Sequence, residues 1–523
     1  MNGQAFIANS KLNIDAWGSL GNPGWNWETL SPYYRKVYTI TMPSDEKQSE
    51  LGLQYIDEQE SPGAGPIKVS FPDAIDDPIA HAWVQSFRGL GYPMSRDPFS
   101  GRAVGGYTNA ATIHPVSKTR SYSMNAYYEP VKERRNLQVI TEALVEKVIL
   151  EHPTSNGGIR ATGVQYTKAG VSYTVRTRRE IVLSAGTFNT PKILELSGIG
   201  SRTLLEKLGI PVLVDNPNVG ENLQDHVFAG ISFEVQDFIN TKDDLMRQVP
   251  DVLRAAVEEY KAHQRGPFTV GGNYSSALLP LPDLPGSAVD GISSILDTMQ
   301  NLPKSSHSCS EELDAYVRAV LHDPEHPTGC YFTYPAQADF KSSGSGAEII
   351  RTKLPENYIT IATFITTPLS RGSTHITSSI PSDHPVIDPQ YLSHPLDIEL
   401  LARHTIFIDT IAASQPLASM LKPGGKRTPG VPNDLRAASL EQVKEYVKAA
   451  AKSTFHPTGS CAMMPQEKGG VVDPHLRVWG VTGLRVVDAS VMPIMPIANI
   501  QSSVYAVAER AVDLIKDSWI YRD

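Results

Sequence analysis

The sequence predicts a mixed α/β (α+β) fold of two interleaved layers or domains, and three stretches carry that expectation. Glu180-Ile-Val-Leu-Ser-Ala-Gly186 is a short apolar run that predicts a buried strand. Thr190-Pro191 just after it opens a helix with proline in the first turn. Leu484-Arg-Val-Val-Asp-Ala-Ser490 has a similar design: an apolar strand, an acid, two small residues, and then a helix over 502–515. In that helix Val504, Val507, Ala508, Ala511 and Ile515 share one face. The third stretch alternates. Residues 136–141, 144–150, 161–166 and 172–176 read as strands of a β-meander, with Ser155-Asn-Gly-Gly158 as a turn.

At 523 residues the chain exceeds one small domain. Its 41% hydrophobic and 20% charged content is ordinary for a soluble globular protein. A net charge of −9 argues against nucleic acid or anionic membrane partners. No apolar run nears the roughly 20 residues that a bilayer span requires. The first residues, MNGQAFIANSKLNIDAW, hold no basic region followed by a hydrophobic core, so no secretory signal is read there and cytoplasmic residence is the default. Cys309, Cys330 and Cys461 make no disulfide framework. Cys309 could pair with Cys330, but buried or free thiols are the expectation.

Taken in order, Asn22-Pro-Gly-Trp-Asn-Trp27 is turn punctuation with two indoles, read as packing, and a helix follows over 27–37. Residues 43–66 are polar without a steady period, which predicts a surface excursion. Residues 77–91 form a helix with Ile79, Trp83 and Phe87 at helical spacing. Residues 98–119 are rich in Gly, Ser and Thr and read as a loop able to line a pocket; Arg120-Ser-Tyr-Ser-Met-Asn-Ala-Tyr-Tyr128 then starts a helix. The helix after Thr190 ends at Gly198, and 201–208 is a further short helix closed by Gly209 and Pro211. Residues 243–263, 395–414 and 439–451 read as helices, 266–272 as a loop, and 421–432 as a Gly/Pro-rich connection. His322-Asp-Pro-Glu-His326 spaces two histidines as metal-binding helices do, but Pro324 and Pro327 break such a helix, so no metal site is expected.

Two polar side chains stand out near the carboxyl end: His456 in Ser453-Thr-Phe-His-Pro-Thr-Gly-Ser460, and Asn499 in Met492-Pro-Ile-Met-Pro-Ile-Ala-Asn499. Each sits among prolines, small residues and apolar runs. A histidine can take a hydroxyl proton near neutral pH, and an amide can hold a developing alkoxide. Asparagine cannot titrate, so His456 is the only base of the pair. The bland readings are a structural histidine and an Asx-turn.

The order and spelling of 453–515 resemble the carboxy-terminal segment of the glucose-methanol-choline (GMC) family of flavoprotein oxidoreductases. Gly186-Thr-Phe-Asn-Thr-Pro-Lys-Ile-Leu-Glu-Leu-Ser-Gly-Ile-Gly200 resembles that family's second signature. Asn216-Pro-Asn-Val-Gly-Glu-Asn-Leu-Gln-Asp-His226, and Pro368-Leu-Ser-Arg-Gly372 through Ile387-Asp-Pro-Gln-Tyr391, are similar to further family segments. The resemblance runs in family order over nearly the whole chain and fades over 231–361, where substrate recognition would diverge.

The resemblance implies a flavin-binding domain interleaved with a substrate domain of antiparallel sheet and helices. It divides the chain into an amino-terminal region (1–226), a divergent substrate segment (227–364) and a carboxy-terminal region (365–516) holding the catalytic pair. It implies FAD as cofactor and a small organic alcohol as substrate, oxidised at its CH–OH group, with His456 as base and Asn499 orienting the oxygen. Asn2 and Gly3, the tail of the family's first signature, with Val145, Asp488 and Ala489, are the implied flavin contacts. Read alone, Asp488 is a capping acid for the turn after it.

Family members open with a strand, a G-x-G-x-x-G turn and a helix that cradle the cofactor pyrophosphate. This chain has no such unit. Gly198-Ile-Gly-Ser-Arg-Thr203 ends a helix, and Gly63-Ala-Gly-Pro-Ile-Lys68 carries a proline and lacks the third glycine. The expected fold therefore lacks its first βαβ unit, and FAD binding by this chain stays open. Two alternatives stand beside alcohol oxidation. One is a non-redox cyclase or dehydratase of fungal secondary-metabolism type, with His456 as acid and base; the other is an inactive short family member.

Overall fold

A computed structural model describes residues 3–7, 9–57, 63–75, 78–152, 158–284, 295, 310–340 and 354–520. Its largest sheet has six antiparallel strands in the order Lys452–Ser453, Val227–Glu234, Tyr358–Ile365, Gly329–Tyr334, Ser275–Leu279 and Gly105–Thr108. The period of two sorts its residues. Odd-numbered Ala229, Ile231, Tyr331, Ile359 and Ile361 are buried on the side of helix Pro395–Ala412. There the Tyr331 hydroxyl lies 2.7 Å from His404 Nδ1. Even-numbered Phe228, Phe332 and Phe364 turn to the other side, where they wall a cavity.

A second unit sits beside this sheet. Ile181–Leu183 and Leu484–Val486 pair in parallel. Helix Gly186–Leu196 follows the first strand, and the turn Ala489–Val491 follows the second. Ala143–Glu151, Ile159–Lys168 and Val171–Arg176 form the expected antiparallel meander, which Val481–Thr482 extends in parallel. A small sheet in the order Ala5–Phe6, Ala110–Ala111, Ile67–Ser70, Tyr38–Thr41 holds the amino-terminal residues. Trp25 is fully buried and the Trp27 and Tyr34 rings lie 5.9 Å apart, so both indoles pack as expected. Cys330 and Cys461 are buried free thiols; Cys309 lies outside the described residues, as do Asp77 and 155–157 of the meander turn.

Several elements differ from expectation, each for a local reason. Residues 136–141 are not a strand: among the described residues no strand pairs with them, and Leu137, Val139 and Ile140 are 39%, 53% and 43% exposed. An alternating run becomes a strand only beside an edge that completes its hydrogen bonds. Strand Ile181–Leu183 is buried on one face only, with Val182 40% exposed. The following helix starts at Gly186, so Pro191 lies inside it. The bond that Pro191 cannot make to the Thr187 carbonyl is supplied by the Ser460 hydroxyl.

Within 43–66 a helix forms over Asp45–Leu51, capped by Ser44 and ended by Gly52 at φ +68°. It buries only Leu51, too little for a visible period. The segment after Arg120 makes a wide π-type turn over Met124–Tyr128 rather than a regular helix. The helix expected over 243–263 is two, Asp243–Met246 and Pro250–His263, because Pro250 excludes helical geometry just before it and Gln248 turns to φ +58°.

The last helix, Gln501–Ile520, buries Ser503, Ala506, Val507, Arg510 and Ala511 against helix Trp27–Val37, with Val504 and Ile515 only half-buried. Small residues let the two helices approach closely, and the Ser503 and Tyr34 hydroxyls meet at 2.6 Å. His326 is buried with Nε2 2.8 Å from the Ser10 hydroxyl. Among the described residues, no helix is long and apolar enough to cross a membrane.

Candidate active site

One segment, 222–226, positions both candidate catalytic side chains. Gln224 exchanges backbone hydrogen bonds with Thr458, at 3.0 and 2.9 Å. The Asp225 carboxylate accepts the His456 N–H at 2.9 Å, the Tyr391 hydroxyl at 2.6 Å and the Ser453 hydroxyl. On the other side the Gln224 side chain donates to the Pro493 carbonyl and accepts the Met495 N–H, at 3.1 Å each. Asn9 accepts the Ile497 N–H at 3.0 Å. The loops carrying His456 and Asn499 are thus bolted to a common frame, and His456 Nε2 lies 3.3 Å from Asn499 Nδ2. Phe455, between Thr454 and His456, holds φ +61°, a region bulky side chains rarely adopt.

His456 is 4% exposed, and burial lowers its pKa to about 4, so the ring is neutral at pH 7. Its Nδ1 is 3.0 Å from His226 Nδ1 and 2.9 Å from the Thr454 hydroxyl. His226 is fully buried; burial first, and the neighbouring His456 second, hold its pKa well below the usual histidine range. Burial raises the pKa of Asp225, against the opposing pull of its hydroxyl and backbone donors.

The pair faces a cavity of about 790 Å³. Phe228, Phe332, Tyr334, Phe340, Phe364 and Phe455 line it, together with Gly3, Gln4, Arg120 and residues 271–273. Gly3 and Gly271 pack backbone to backbone: a Cβ on Gly271 would fall 2.3 Å from the Gly3 carbonyl oxygen.

Of the expected site residues, the fold gathers His456, Asn499 and Gly3 around this cavity. Asn2 lies outside the described residues. Val145 is on strand Ala143–Glu151, which packs on helix Gly186–Leu196, and does not line the cavity. Asp488 binds the chain itself: its carboxylate accepts the N–H groups of Gly186 at 2.9 Å and Ser490 at 2.8 Å, and the Thr190 hydroxyl. Ala489 is half-buried, and its carbonyl accepts the Gly459 N–H at 3.2 Å.

This corner leaves open space of the kind a flavin would need. Gly186, the first residue of its helix, has φ +82° and no atom within 4 Å of where a Cβ would stand, and Val182 and Ser184 beside it are exposed. A helix start at the carboxyl end of a parallel strand pair is where such folds hold dinucleotide cofactors, and here Asp488 takes the Gly186 N–H, which leaves the space beside the turn rather than that donor for the cofactor.

His226, Asp225 and Thr454 were not singled out from the sequence as site residues. Asp225-His226 closes the Asn216–His226 motif, and that was the available signal; its meeting with His456, 230 residues away, needs the fold.

Comparison with known proteins agrees with this architecture. The GMC oxidoreductase family model matches residues 1–228 and 368–508. A GMC oxidoreductase family protein of Malassezia sympodialis, Mala s 12, is 33% identical over 98% of this chain and 78% of its own length. Among solved structures, an FAD-dependent oxidoreductase from Chaetomium thermophilum superposes with a TM-score of 0.85 at 26% identity, over 99% of this chain and 85% of that one. A fungal aryl-alcohol oxidase superposes at 0.80 with 28% identity, again over 99% and 85%. By fold, by sequence and by the segments that frame its His–Asn pair, this chain belongs to the GMC oxidoreductase family.

Proposed function

We propose that this chain oxidises the CH–OH group of a small organic alcohol bearing an aromatic ring, in an FAD-dependent reaction, with His456 as base and Asn499 holding the substrate oxygen. One observation carries the reading: His456 Nε2 and Asn499 Nδ2 stand 3.3 Å apart at a cavity lined by six aromatic rings, those of Phe228, Phe332, Tyr334, Phe340, Phe364 and Phe455. The neutral Nε2 takes the hydroxyl proton, so that O–H breaks and N–H forms. The Asn499 amide donates to the same oxygen as negative charge builds on it. The largely apolar walls favour an uncharged aromatic substrate over nucleic acid or a membrane surface. Gly3, Gly186 and the backbone of Asp488–Ala489 would hold the cofactor, and Asn2 and Val145 would join them by family resemblance. Bound flavin supplies the hydride acceptor this chemistry requires.

The test is to mix the purified chain with FAD without oxygen and offer benzylic, aliphatic and sugar alcohols while following the flavin absorbance. Bleaching by benzylic alcohols in preference to sugars is the expected result. Bound flavin that no alcohol bleaches overturns the reading. Turnover by a colourless protein replaces it with acid–base chemistry at His456.

A further inference from the structure

His456 can act as a base only if its Nε2 is bare, and the groups behind the ring decide that. Thr454 has one hydroxyl hydrogen, and the His226 carbonyl, which also takes the Thr454 backbone N–H at 3.0 Å, accepts it at 2.9 Å. Toward His456 Nδ1, also at 2.9 Å, Thr454 therefore presents lone pairs. In that arrangement His456 Nδ1 carries the hydrogen. The same N–H points at His226 Nδ1, 3.0 Å away, and two facing ring nitrogens can share only one hydrogen. His226 Nδ1 is thus an acceptor, and the proton of this neutral ring sits on Nε2. The carbonyls of Thr366 and Pro496 stand by the His226 ring as acceptors, although Nε2 completes no hydrogen bond of good geometry among the described residues. With hydrogen on Nδ1, His456 Nε2 keeps its lone pair toward the Asn499 amide.

We propose that His226 is a positioning residue of this site: together with Thr454 it accepts the His456 Nδ1–H, holding His456 in the tautomer whose Nε2 faces the cavity bare. The proposal rests on the reading of His456 as the base and extends it to a neutral partner. His226 does the orienting work that a carboxylate does in other catalytic triads, without its charge. The Asp225 carboxylate beside them is spent on the His456 backbone N–H, Tyr391 and Ser453. The His226 ring is fixed by stacking on Phe364, with centroids 4.5 Å apart. When His456 gains a proton at Nε2, its Nδ1–H bond to His226 becomes charge-assisted and strengthens.

The test is imidazole nitrogen NMR on the chain labelled with nitrogen-15 histidine at neutral pH, with His456 assigned through His456→Asn. The expected wild-type spectrum shows His456 protonated at Nδ1, with an unprotonated Nε2 resonance. His226→Phe, which keeps a stacked ring but no acceptor, is expected to shift His456 toward a mixture of tautomers, and to lower turnover without raising KM. His226→Asn restores an acceptor and is expected to recover the wild-type tautomer. A wild-type His456 protonated at Nε2 overturns the proposal, whatever the variants do. So does a tautomer that stays unchanged in the combined His226→Phe, Thr454→Val variant. The expected tautomer in a protein that oxidises no alcohol leaves the positioning intact and removes the functional reading instead.

Discussion

Phe455 and Asn499 show how single side chains set the geometry of the proposed site. A phenylalanine at φ +61° costs about 1–2 kcal/mol relative to ordinary backbone. Here it turns the chain so that the next residue enters the cavity. Phe455→Gly relieves that strain, and its melting temperature is expected to equal or exceed that of wild type. Phe455→Val puts a branched side chain in the same region and should melt lower; equal melting of the two variants would show that the backbone there is not strained. Asn499 can donate to an oxygen but cannot share the proton. Asn499→Ala is therefore expected to slow flavin reduction by an alcohol about 10²–10³-fold, as loss of one oxyanion donor does. Stopped-flow absorbance without oxygen measures it, and an unchanged rate would remove Asn499 from its role. His456 and Asn499 were legible in the sequence because polar groups stood where proline, glycine and apolar residues surround them. His226 was not, because its role comes from one contact with a residue 230 positions away.

At the scale of elements, helix Gly186–Leu196 depends on a residue far from it in sequence. Pro191 leaves the Thr187 carbonyl without its helical donor, and the buried Ser460 hydroxyl replaces it. Ser460→Ala strands that carbonyl and is expected to cost about 1–3 kcal/mol in a denaturant titration. Loss of a few tenths at most would mean the carbonyl finds another donor. The sequence placed the helix but not its first turn, since proline at a first turn is the ordinary case and the Ser460 bond is tertiary. Alternation marks the strands of the meander where a partner exists, at 144–150, 161–166 and 172–176, but makes no strand at 136–141, which has no neighbour among the described residues. The even–odd sorting of the six-stranded sheet puts cavity-lining rings on one side and the helix-facing core on the other. Over 231–361 family resemblance gave little guidance to those strands, so the aromatic wall became visible only with the fold.

The whole molecule carries a pH signature. His226, His326, His404 and His456 are buried, and burial lowers the pKa of each in the folded state, to about 4 for His326 and His456 and about 3 for His404. The unfolded chain takes up these protons near pH 6.5, so stability is lost as pH falls from there toward 4. The slope is at most about 1.4 kcal/mol per pH unit for each ring. His375 runs the other way. Hydrogen bonds to Glu195 and Glu221 raise its pKa to about 9. Its contribution is complete below about pH 6.5 and is lost as pH rises through 9. Denaturation midpoints from pH 4 to pH 10 should therefore peak near neutrality, and His375→Gln should flatten only the alkaline limb. A stability that keeps rising on acidification would contradict the buried neutral histidines.

The central claim, that His456 is the base of an alcohol oxidation, is tested most directly by the rate of anaerobic flavin bleaching by a benzylic alcohol in His456→Ala beside wild type. The account predicts a loss of about 10²–10⁴-fold, the usual worth of a positioned general base, with partial recovery on adding free imidazole. Bleaching by His456→Ala at the wild-type rate would contradict it.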